Sequence, residues 1–97
     1  MVLMAEQLSF HMVVWGSVQG VGFREFVLQT ALKLGVSGYV RNLQSHNAVE
    51  VVGEGLQDNL RLFTEYLREG PPASTVIKIN LSWNRSSLGR KGFIRLD

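Results

Sequence analysis

The chain has 97 residues with 45% apolar content, no cysteine, two histidines (His11 and His46), and ten Lys and Arg against eight Asp and Glu, a net charge of +2. This length holds one domain, since roughly 100–200 residues is the usual size, and the apolar fraction suffices for a packed core. The counts exclude a disulfide scaffold, a thiol nucleophile and a thiolate zinc site, and +2 is too weak a charge to argue for nucleic acid.

Residues 1–97 are therefore read as one domain, with 1–7 a loose N-terminal arm. The first nine residues carry Glu6 and no basic region, so they do not read as a secretory signal. No stretch approaches the roughly 18–20 apolar residues of a membrane span. A reduced, cytoplasmic compartment is expected.

Phe10, Met12 and Val14 alternate with Ser9, His11 and Val13, which predicts a half-buried strand ending at Gly16. Phe23, Phe26, Val27, Ala31 and Leu34 then follow a helical spacing, and Gly35 fits the cap that ends such a helix. Alternation from Gly38 to Leu43 predicts a second strand, and Gln44 to Asn47 a polar turn. The segment around Val49 to Glu54 predicts a third strand, the hairpin partner of the second. A second helix is expected from about Leu56 to Arg68, with Leu60, Phe63 and Leu67 facing the core, and Gly70-Pro71-Pro72 stops it. Ile77, Ile79, Leu81 and Trp83 alternate through a fourth strand. A basic loop (Ser86 to Gly92) and a short terminal strand (Phe93 to Leu96) complete the chain. The sum is an α+β chain of order βαββαβ. This is the ferredoxin-like pattern, an antiparallel sheet with two helices on one face and a short fifth C-terminal strand.

Packing does not explain the segment Gly16-Ser17-Val18-Gln19-Gly20-Val21-Gly22-Phe23-Arg24. Its three glycines allow a tight turn and close approach to a ligand. Successive main-chain N–H groups in such a turn can converge on an anion, and the loop leads into a helix N-terminus that also favours negative charge. Arg24 in that first turn opposes the helix dipole, which a bound anion would offset, because a guanidinium grips phosphate oxygens bidentately. The Walker loop is excluded, since Phe23-Arg24 stands where Lys-Ser/Thr is required. The dinucleotide fingerprint is excluded because Glu25 replaces its third glycine. In Gly38-Tyr39-Val40-Arg41-Asn42, alternation puts Asn42 on the inward row with Val40, where an amide needs hydrogen-bond partners.

Val18-Gln19-Gly20-Val21-Gly22-Phe23-Arg24, followed by Ala31, Leu34-Gly35, Gly38-Tyr39-Val40-Arg41-Asn42, Val49-Glu50, Gly70-Pro71 and Phe93-Ile94-Arg95, resembles the acylphosphatase family over about residues 8 to 97. The resemblance implies a hydrolase that cleaves the carboxyl–phosphate bond of acyl phosphates without metal or cofactor, on a ferredoxin-like fold. It implies that Arg24 binds the phosphate, that the amides of Val18, Gln19, Gly20, Val21, Gly22 and Phe23 cradle it, and that Asn42 orients the attacking water. An acyl phosphate is then the substrate and inorganic phosphate the product and inhibitor, with no nucleic acid, no membrane and a monomer expected. The sequence departs from the family between Asn42 and Val49. Leu43-Gln44-Ser45-His46-Asn47-Ala48 has no glycine, and Asn47 is the candidate for a left-handed position. Tyr39 stands where tryptophan is common. Two rivals share the fold: a non-catalytic anion-binding regulatory module, and an RNA-recognition sheet. Ala48 to Glu54 lacks the aromatic block that RNA recognition needs, so Arg41, Lys78, Arg90 and Lys91 read as a solvated face.

Overall fold

Alternating apolar side chains become one wall of the core. The computed structural model describes residues 7–44, 47–85 and 88–96. Its elements run β1 (Gln7–Ser17), α1 (Phe23–Leu34), β2 (Ser37–Leu43), β3 (Ala48–Leu56), α2 (Gln57–Glu69), β4 (Thr75–Asn84) and β5 (Phe93–Arg95). The N-terminal arm lies outside the described residues as far as residue 6, and Gln7 already pairs with Leu56 in β1. Phe10, Met12 and Val14 of β1, Val40 of β2, and Val49 and Val51 of β3 are all buried. They meet Phe23, Val27 and Ala31 of α1 and Leu60, Phe63 and Leu67 of α2, the rows that helical spacing predicts. Phe63 joins the layers, with ring centroids 5.8 Å from Phe10 and 5.9 Å from Phe93.

The strand order is β4-β1-β3-β2-β5. The first four strands pair antiparallel, as expected, whereas β5 runs parallel to β2 through Gly38↔Phe93, Tyr39↔Ile94 and Val40↔Arg95. The register explains the difference. Asn84 lies beside Ser9, Ser9 beside Glu54, and Glu54 beside Ser37, so β4 ends at the end of the sheet where β2 begins. The chain crosses that end and enters β5 in the direction of β2.

The fourth strand also departs from its predicted row. The register shifts between Trp15 and Gly16, which face Lys78 and Val76, so Ile77 has no partner opposite. Such a bulge reverses the alternation locally. Ile77 is therefore 77% exposed, and Val76 packs against the core with Ile79 and Leu81. Trp83 is 43% exposed with its ring 5.6 Å from Phe10.

On the uncovered face, Glu50 of β3 joins β1 to β2: its carboxylate lies 2.7 Å from His11 Nε2 and accepts Arg41 Nε at 2.5 Å. Burial pushes the Glu50 carboxyl up, but the hydrogen bonds from His11 and Arg41 and the Arg41 charge outweigh it. The group sits below the usual carboxylate range. Burial first, and then the Glu50 carboxylate, push the Tyr39 phenol up. Arg41 is thus paired, and Lys78 lies 5.0 Å over the Trp15 ring.

Two outcomes are expected. Gly38 has φ +142° and an added Cβ would lie 1.9 Å from the Val52 carbonyl oxygen. Gly38→Ala should lower stability by at least about 2 kcal/mol, read from the urea midpoint. A carboxyl with a depressed folded pKa contributes stability that is present above its unfolded pKa and lost as pH falls through the folded one. Glu50→Gln should therefore cost about 0.5–1 kcal/mol near pH 7, the upper range for partly exposed pairs. Urea titrations at successively lower pH should show the gap from the parent closing below the carboxylate range.

Candidate functional site

Between β1 and α1 the chain must turn sharply. Val18 and Phe23 anchor the two ends of that turn in the core, each 1% exposed. Gly20 and Gly22 take φ +74° and +78°, the left-handed conformation that a side chain disfavours. Gly22 is the N-cap of α1 and offers no side-chain acceptor to the helix's first N–H groups, where Ser or Asp would normally supply one. Among the described residues, no acceptor takes the main-chain N–H groups of Val18, Gly20, Val21 and Gly22.

Three ties set this loop against the sheet. Gly16 N donates to the Asn47 carbonyl at 3.0 Å. The Gln19 side chain reaches the end of the β2–β3 hairpin, its Nε2 donating to the carbonyls of Leu43 at 2.8 Å and Ala48 at 2.9 Å. Arg24, in the first turn of α1, donates from Nη1 to the Leu96 carbonyl at 2.8 Å. Leu96 N donates in turn to the Val40 carbonyl, also at 2.8 Å. Asn42 stands two residues beyond Val40 on β2, roughly 7 Å along the strand, and immediately before Leu43. The loop is thus bonded to Leu43 beside Asn42, and Arg24 to Leu96, which in turn bonds Val40. The Asn42 Oδ1 is buried without a hydrogen-bond partner. An orphaned buried amide oxygen costs about 1–3 kcal/mol unless a donor arrives.

The expected site residues therefore gather at one end of the sheet: the loop from Val18 to Phe23, Arg24 and Asn42. Two features were not legible in the chain. Gln19 contributes its side chain as a strut, and Leu96 supplies an acceptor to Arg24 from 72 residues away. Neither a glutamine in a glycine-rich loop nor a terminal leucine carries a sequence signal for such contacts. The left-handed residue expected at Asn47 is not there, because no non-glycine among the described residues has positive φ. His46 and Ser45 lie outside the described residues. A cavity of about 850 Å³ opens on the other side of the loop, between Trp15, Ile77, Gln44 and Asn47. It shares Val18 and Gln19 with the site, but neither Arg24 nor Asn42 lines it. Among the described residues, no three His, Cys, Asp or Glu side chains gather in a way that could hold a metal ion.

The profile of the acylphosphatase family matches residues 10–94. The chain is 45% identical over 75 residues to an acylphosphatase of Dehalococcoides mccartyi, covering 77% of this chain and 82% of that one. It is 44% identical over 81 residues to an acylphosphatase of Thermus thermophilus, covering 84% and 90%. The crystal structure of acylphosphatase from Bacillus subtilis superposes with a TM-score of 0.88 at 37% identity, covering 93% of this chain and 99% of that one.

The Gln19 strut generates a test of its own. Gln19→Ala leaves the Leu43 and Ala48 carbonyls without this partly buried donor. It should lower stability by about 1–3 kcal/mol and speed amide exchange in the loop relative to α2. Thermal unfolding and hydrogen exchange read the two effects.

Proposed function

The chain belongs to the acylphosphatase family and hydrolyses the carboxyl–phosphate bond of acyl phosphates; we propose that Arg24, the loop amides and Asn42 divide that work among them. The observation that carries this reading is the pairing of unclaimed N–H donors and a guanidinium with an orphaned carboxamide oxygen at the same end of the sheet. The first two suit a dianion, and the third suits an O–H donor.

In the proposed arrangement, the N–H groups of Val18, Gln19, Gly20, Val21, Gly22 and Phe23 surround the phosphoryl oxygens. Arg24, held through Nη1 on the Leu96 carbonyl, sets its guanidinium against the same oxygens. These donors stabilise charge on the equatorial oxygens as the bond to the leaving group lengthens. Asn42 Oδ1 accepts a hydrogen from water and aims the water's lone pair at phosphorus, opposite the acyl oxygen. The new P–O bond forms as the P–O bond to the acyl group breaks. The electron pair leaves with the carboxylate, and the water proton passes to the phosphate. A carboxylate is a weak base, so it leaves without a general acid. Positioning then supplies most of what the reaction requires.

The enzyme is further proposed to act as a cytoplasmic monomer. Three observations support that: no cysteine needs an oxidising compartment, no helix among the described residues is long and apolar enough to cross a membrane, and the uncovered sheet face carries the His11–Glu50–Arg41 network.

Arg24→Ala should slow hydrolysis of benzoyl phosphate by at least about 100-fold, the scale of losing one oxyanion donor, and weaken inhibition by inorganic phosphate. Arg24→Lys should recover little of either, since an ammonium does not reproduce the fork. Asn42→Ala should lower kcat while leaving the phosphate inhibition constant nearly unchanged, and chelator should leave the parent's rate intact. If Asn42→Ala abolished phosphate binding and spared kcat, the division of roles would be reversed.

A further inference from the structure

Glu54 is the one carboxylate among the described residues that the fold buries almost completely, at 3% exposure. It stands on β3 at the end of the sheet opposite the loop, on the face the helices leave open. Leu88 and Arg90, which precede β5, close over it there. One oxygen accepts the main-chain N–H groups of Leu88 at 3.0 Å and Arg90 at 3.2 Å, and the other lies 3.0 Å from Arg90 Nε. The Arg90 guanidinium also lies 5.4 Å over the Tyr39 ring of β2. Arg90 thus reaches two strands, bonded to Glu54 and laid over Tyr39, while its side chain stays 40% exposed as its sequence context suggests. An ion pair with one partner buried is a poor source of net stability, because desolvating that charge offsets the attraction. What two main-chain donors and a guanidinium gathered at one carboxylate do supply is a fixed position for the chain that carries them.

That chain leads to the catalytic end. Two residues after Arg90, the Gly92 carbonyl accepts Gly38 N at 2.9 Å. Phe93 to Arg95 then pair with β2 on one side only, as a three-residue edge strand. Leu96 follows, with its carbonyl on Arg24. A strand this short is marginal by itself. The position of the acceptor on Arg24 therefore depends on how firmly the near end is held.

We propose that Glu54 is a positioning residue for Arg24: its carboxylate latches the 88–92 crossing, which sets β5 and so the Leu96 carbonyl that aims the guanidinium. This rests on the reading of Arg24 as the phosphate-binding residue. Loss of the latch lets β5 fray and frees Arg24 to take other rotamers, so phosphate must order it on binding. The effect falls on affinity for the phosphoryl group more than on the chemical step.

The test uses the full chain with Glu54→Gln, Arg90→Met, Arg24→Ala and the Glu54→Gln/Arg24→Ala pair. Glu54→Gln puts an amide donor against Arg90 Nε. Arg90→Met keeps the aliphatic stem and removes the charge, and carries the test if Glu54→Gln fails to fold. Each is expected to raise KM for benzoyl phosphate and the inhibition constant of inorganic phosphate about 3- to 10-fold, with kcat changed less than 2-fold, and to speed amide exchange at Leu96. In the Arg24→Ala background, Glu54→Gln should change kcat/KM less than 2-fold. Equal losses in both backgrounds would mark a general structural role and overturn the proposal. So would unchanged phosphate inhibition in Glu54→Gln and Arg90→Met while Arg24→Ala weakens it. If Arg24→Ala itself leaves phosphate inhibition intact, the role of Arg24 fails and this proposal with it, and faster Leu96 exchange then reports a latch that only orders β5.

Discussion

Main-chain N–H groups left over where β1 gives way to α1 set the terms for the rest of the molecule. Four of them, on Val18, Gly20, Val21 and Gly22, have no acceptor among the described residues. Most helices silence such donors with a Ser, Thr, Asp or Asn at the N-cap. Here Gly22 takes that place with φ +78° and brings no oxygen. Gln19 could have folded back on the loop, but its side chain is committed to the carbonyls of Leu43 and Ala48. The donors stay available because the cap brings no oxygen and Gln19 is committed to the hairpin. Electrostatic catalysis depends on such prior ordering, since dipoles already aimed need not reorganise as charge develops.

The sheet carries that constraint from one end to the other. Its lower end holds the loop, Arg24 and Asn42. Its upper end holds the crossing from β4 to β5, closed over Glu54. Between them run strands whose register is fixed by the buried rows from Phe10 to Val14 and from Val49 to Val51. A one-residue slip would turn those rows to solvent, so the two ends cannot drift relative to each other. The only slender link is β5, anchored by Phe93 in the core at 8% exposure and by the Glu54 contacts beyond it.

Much of this was legible in the residues. The spacing of Phe23, Val27 and Ala31 marks α1 and its buried face, because a 3.6-residue period has no other reading at that length. The two blocks ending in Arg24 and Asn42 carry the resemblance to the acylphosphatase family, to which the chain belongs. The misreadings are equally specific. Ile77 was expected inside because strict alternation takes no account of a bulge, and the bulge arises where Gly16 lets β1 approach Thr75 too closely for a side chain. Asn47 was expected in the left-handed region because no glycine stands in the turn. Arg90 is exposed as expected, but its pairing with Glu54 was not foreseen because nothing near it in sequence pairs with it.

Local periodicity and glycine placement, properties of neighbouring residues, sufficed to determine the order of elements, most of the core rows and the glycine-rich turn between β1 and α1. The tertiary structure alone decided what joins across long separations. Gln19 meets Ala48, Arg24 meets Leu96, Glu54 meets Arg90, and β5 takes the direction of β2. The reason is geometric: a hydrogen bond between residues far apart depends on where every intervening strand has been placed. No pattern within a short window encodes that sum.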